Sequence, residues 1–101
     1  MTEVLIPENK EAAAGAAIQA VNTDIDEVIN EASAEQLKLI LEGASCLAAA
    51  LRCQLKTYGV ERRLDPNLKL DVTWLRKTTE RMHWYCTLRN LAKTRLEELT
   101  P

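Results

Sequence analysis

The sequence predicts an all-α fold, a three-helix up-down-up bundle preceded by a short extended segment. Three observations predict it. Apolar residues return at alternating spacings of three and four along three long stretches. Helix-start residues stand at Ser33 and Asp71. The 101 residues hold only three Gly and three Pro, and no pair of alternating segments reads as strands. At this length the chain makes one domain, residues 1–101, with a core large enough to fold and little stability to spare.

The opening "MTEVLIPENK" reads as extended up to Pro7, with Val4, Leu5 and Ile6 available to pin it onto the bundle. From about Asn9 the pattern turns helical. Ala14, Ile18, Val21, Ile25, Val28 and Ala32 share a face, which predicts a first helix over about 9–31. Thr23 followed by Asp24, Asp26 and Glu27 is also the pattern of a fresh helix N-terminus, because acidic groups favour the positive end of the helix dipole. The helix either runs through or breaks near Asn22, and the apolar register survives both.

"SAEQ" at 33–36 is a capping box that opens a second helix over about 34–58, with Gly59 placed to close it in the left-handed conformation. Leu37, Ile40, Ala44, Leu47, Leu51, Leu55 and Tyr58 form its core face. A second stripe, Leu39, Gly43, Cys46, Ala50 and Cys53, climbs another side. An amphipathic helix needs one apolar face, so this helix is either central, with neighbours on two sides, or half of a dimer seam. The link that follows holds an Asp65–Pro66 turn, and Asp71 caps a third helix over about 71–99.

Composition narrows the packing. Phe is absent and all four aromatic residues follow residue 57, so the first half packs with Ala, Leu, Ile and Val. Small side chains let helix axes approach the lower end of the roughly 8–10 Å range. The net charge of −2 conceals a split: residues 1–50 carry two Lys against nine Asp/Glu, and residues 51–101 carry eleven Lys/Arg against six. Such a dipole is either satisfied internally or offered to a partner.

Three cysteines, Cys46, Cys53 and Cys86, make an odd count with no CxxC pair, which suits a reduced, cytoplasmic protein, and the first two read as small core residues. "AAAGAAIQA" at 12–20 is similar to a signal-peptide core, yet Glu3, Glu8 and Glu11 stand where cations would precede it, so secretion is not expected. No apolar run is long enough to span a bilayer, and no membrane role is expected.

The stretch "RKTTERMHWYCTLRN" at 76–90 gathers the chain's one histidine with Trp84, Tyr85 and Cys86. On a helical wheel Leu75, Thr78, Met82, Tyr85, Ala92 and Leu96 face the core, and Arg76, Glu80, His83, Thr87, Asn90 and Thr94 face water. General acid–base chemistry needs an orienting partner that a solvent-facing His83 lacks. His83 and Cys86 supply two ligands where zinc wants three or four. Ser33 is a cap, Ser45 lies mid-helix, and no phosphate-binding Gly-rich loop is present.

Arg76 and His83, with six residues between them, are similar to the R-x4–6-H motif of HEPN ribonucleases, which would imply a nuclease. The similarity covers two residues, and Lys77 stands where that family typically has a polar residue such as Asn or His. The sequence as a whole predicts no enzyme, no cofactor and no metal.

Between the core and wet arcs lies a flank of Lys77, Trp84, Leu88, Leu91 and Arg95. Trp and Arg are typical binding anchors. This flank either completes the core under the first helix or is the partner-binding surface. Arg81 and Arg89 fall inside or beside the apolar arc and should pair with acids of the first two helices or across an interface.

The expectation is a small non-enzymatic protein that binds another protein as a regulator, inhibitor or adaptor, with homodimerisation through the second stripe compatible with it. The alternative is nucleic-acid binding by the basic segment Arg62, Arg63, Lys69, Arg76, Lys77, Arg81, Arg89, Lys93 and Arg95. Those cations spread around the third helix and are interrupted by Glu80, Glu97 and Glu98, whereas phosphate recognition needs them clustered.

Overall fold

The computed structural model describes residues 5–100, with side chains from Glu11 onward. It is a helical bundle of four elements: α1 (Leu5–Asn22), α2 (Ile25–Glu31), α3 (Ala34–Leu64) and α4 (Val72–Leu99). No strand occurs among the described residues.

The expected first helix is two helices. The Thr23 hydroxyl donates back to the Gln19 carbonyl at 2.8 Å, occupying an acceptor of the last turn of α1. Asp24 then leaves helical geometry at φ −106, ψ 107, and its carboxylate accepts from the Glu27 amide, which starts α2. At the other end α1 is already helical at Leu5, so the extended segment up to Pro7 is corrected. Pro7 sits in the first turn, where its missing N–H has no helical partner to lose. Met1–Val4, and the side chains of Leu5 and Ile6, lie outside the described residues, and so does the proposed pinning of the segment.

α3 opens on the expected capping box: the Gln36 amide donates to the Ser33 hydroxyl at 3.2 Å and the Ser33 amide to Gln36 Oε1 at 2.9 Å. It does not stop at Gly59. No described residue has a positive φ, and the helix continues to Leu64 because nothing in "VERRL" breaks it. The stop is Asp65, held extended at φ −128, ψ 93, as steric contact with a following proline requires. α4 begins as expected, with the Asp71 carboxylate accepting from the Trp74 amide at 3.0 Å. Tyr58 ties the turn together. Its hydroxyl donates to the Lys69 carbonyl, accepts from the Asp71 amide at 2.8 Å, and its ring tilts against Trp74 with centroids 5.1 Å apart.

α3 is the central helix, packed most extensively on α4 and next on α1. α1 runs antiparallel to it, Ala13 lying against Gly43 and Ala20 beside Gln36 and Ile40. The contact is close: a Cβ on Gly43 would run into the Ala13 backbone carbonyl. At that separation only alanine fits between the backbones. Ala13, Ala17 and Ala20 therefore form the buried face of α1, and Ile18, assigned to that face from its spacing, is turned out to 41% exposure. Leu37 and Leu88 are the largest fully buried side chains, joined in one core by Ile29, Ile40, Ala44, Tyr85 and Ala92.

The core occupies one end of the molecule. Every buried residue of α3 lies between Leu37 and Ala48, and every buried residue of α4 between Thr78 and Ala92. From Ala49 to Lys77 no residue is buried. The radius of gyration, 16.1 Å, exceeds the roughly 13 Å of a compact domain of this length. The 7307 Å² of accessible surface exceeds the value expected for this mass by about 1,500 Å².

Candidate functional site

The helix lengths explain the bare end. α1 has 18 residues and α3 has 31, so for about 20 Å of α3 no third helix lies beside it among the described residues. Two apolar stripes cross this boundary, and each is covered on one side of it and open on the other.

The first is the second stripe of α3. Gly43 is buried under α1 and Leu39 is half-buried, while Cys46, Ala50 and Cys53 are exposed. The expectation that Cys46 and Cys53 are core residues is thus corrected: both are exposed free thiols. Because α3 passes through Gly59, the stripe continues with the same alternation of four and three through Thr57, Val60 and Leu64. Val60 is 48% and Leu64 81% exposed.

The second is the flank of α4, which divides residue by residue. Leu88 is fully buried and Leu91 half-buried, so these two belong to the core and not to a free surface. Arg95 is half-buried and pairs with Glu98 of its own helix at 3.5 Å. Lys77 and Trp84 remain open, Trp84 half-exposed beside a groove whose other wall is Val21, Thr23, Asp24, Ile25 and Asp26 at the α1–α2 break.

The two helices are antiparallel, joined by the turn at 65–71. A shallow groove between them is lined by Cys53, Gln54, Thr57, Tyr58, Glu61 and Trp74. Leu70 and Val72, 47% and 61% exposed, extend the apolar surface at the tip. Spacing had indicated neither the groove nor the tip. The continuation of the stripe beyond Gly59 was the signal for both, and it is hidden when glycine is taken as a stop.

Charge divides along the same boundary. Residues 49–77 hold seven Lys/Arg against three Asp/Glu, whereas residues 11–48 hold one Lys against seven Asp/Glu. The Arg95–Glu98 contact is the one ion pair among the described residues. Arg81 is exposed and Arg89 half-buried, and neither is in the expected ion pair among the described residues; Arg81 stays in water, where none is needed.

His83 is exposed, as its wheel position predicts, and Cys86 is half-buried. No group of three or more His, Cys, Asp and Glu converges among the described residues. No helix among them is long and apolar enough to cross a membrane. No protein-family model, curated protein or solved structure matches the chain.

Proposed function

We propose that this is a small, non-enzymatic, cytoplasmic helical protein that binds another protein as a regulator, inhibitor or adaptor, through the open face of the α3–α4 hairpin. The observation that carries this reading is the absence of any buried residue between Ala49 and Lys77, on a hairpin that exposes Val60, Leu64, Leu70 and Val72. Contiguous apolar surface on a small chain marks an interaction site. Of the flank read from sequence, Lys77 stands at the edge of this span, and Trp84 is exposed beside the α1–α2 break.

A second reading, nucleic-acid binding, is favoured by the cations of the same hairpin. Arg63, Lys69, Arg76, Lys77 and Arg81 are exposed. Apolar side chains as large as Leu64 and Val72 among them have no role in phosphate contact.

Capture from nuclease-treated lysate separates the two. The wild type, a Leu64→Asp/Val72→Asp/Trp84→Asp variant and an Ile18→Asp control, all checked by circular dichroism, are compared. The protein-binding reading expects a protein held by the wild type and the control and lost by the triple variant. Capture that the triple variant retains, or nucleic acid that co-purifies until salt removes it, would refute it.

A further inference from the structure

The open face has a definite shape, a definite charge and a precedent within the molecule. At the packed end its continuation is filled by α1, a helix lying antiparallel to α3 with alanines inward. Beyond α1 the same trough runs on for about 20 Å between the two long helices. Its floor is Cys53, Gln54, Thr57 and Glu61, with Tyr58 and Trp74 on the α4 side, and Val60 and Leu64 continue the exposed stripe beside it. A helix is the one element that can extend a helical layer and satisfy its own backbone while doing so.

The rims set the charge of that helix. At about 3.6 residues per turn, Lys56 and Arg63 border the outer edge of the α3 stripe, and Lys77 and Arg81 follow Trp74 on the same side of α4. All four are exposed and none is in an ion pair among the described residues. One acid, Glu61, lines the groove. Asp71 is committed to capping α4 and Asp65 to the turn, where it accepts from the Asn67 amide. A second copy laid on this trough in the antiparallel sense would bring Lys56 and Arg63 against their own counterparts, a like-charge contact that costs affinity.

We infer that the trough receives an amphipathic helix of another protein, apolar on one face and acidic along both edges, docked in line with α1. This rests on the protein-binding reading above and specifies the partner's chemistry. The apolar face supplies affinity, and the Glu or Asp edges facing Lys56, Arg63, Lys77 and Arg81 supply orientation and association rate.

The probe is a displayed library of helical peptides with a fixed Ala/Leu stripe at three-four spacing and flanking positions randomised over Glu, Gln and Lys. It is selected on the full chain and counter-selected on the folded Leu64→Asp/Val72→Asp variant. The inference expects Glu to be enriched at the flanks. It also expects a selected peptide to lose affinity about tenfold or more on a Lys56→Glu/Arg63→Glu/Lys77→Glu variant and in high salt, the scale of several screened rim charges. Enrichment of Lys or Gln would overturn the acidic partner while leaving protein binding standing. A wild-type dimer that Leu64→Asp/Val72→Asp converts to monomer would assign the trough to a second copy instead. Failure of every peptide, with salt-sensitive binding of a DNA or RNA oligonucleotide, would overturn both this inference and the reading beneath it.

Discussion

Leu37 and Leu64 lie on the same helix, one fully buried and the other 81% exposed. The first third of α3 is enclosed by α1 and α4, and among the described residues the last third has α4 alone. Local chemistry does not separate the two regions, since both carry apolar stripes at helical spacing. What separates them is reach: α1 starts at Leu5 and crosses Gly43 at Ala13, and no other described helix lies on the rest of the trough. An apolar stripe therefore states that a neighbour is wanted, and the length of the neighbouring helix decides whether the chain supplies it.

The contrast predicts opposite responses to matched substitutions. Leu37→Ala or Leu88→Ala should cost about 2–5 kcal/mol in urea unfolding, the range for a buried leucine with its cavity, whereas Leu64→Ala should stay within about 0.5 kcal/mol of wild type. Comparable losses at both ends would erase the distinction. The glycines sharpen it by sign. Gly43→Ala pushes a methyl into the Ala13 carbonyl and should destabilise by about 1–3 kcal/mol, prising α1 from α3. Gly59→Ala meets nothing within 4 Å in an uninterrupted helix and should stabilise by about 0.5–1 kcal/mol.

Smaller effects test the two ends of α3 separately. Ser33→Ala removes the capping box and should cost about 1 kcal/mol, read as a lower midpoint with an unchanged urea slope. Tyr58→Phe removes the hydroxyl that bridges Lys69 and Asp71, and in this exposed turn should cost about 0.5–1 kcal/mol. Its Trp74 fluorescence should also change, best read in a Trp84→Phe background.

Much of this was legible in the sequence. The capping box at Ser33, the Asp71 cap and the core arc of α4 follow from local patterns that packing did not override, whereas two apolar stripes left open whether α3 was central or half of a dimer seam. The α1–α2 break was written in Thr23 and Asp24 but could not be decided, because both outcomes keep the apolar register. Ile18 was misassigned because spacing favours the larger side chain, whereas the close approach at Gly43 admits only alanine. Gly59 misled because glycine permits a helix to end without requiring it, and Pro66 was the true stop. The flank of α4 could not be divided from sequence, since spacing placed Leu88 and Trp84 on one flank and only packing buries the first and leaves the second half-exposed.

The most direct measurement is residue-resolved hydrogen exchange on the free, monomeric chain. Amides of α3 from Leu37 to Ala48 should exchange with the global unfolding of the protein, and those from Arg52 to Arg62 about a hundredfold faster or more, through local opening of a hairpin with no core of its own. Equal protection along the whole of α3 would contradict this, because it would mean that the chain already covers the hairpin and leaves no face for a partner.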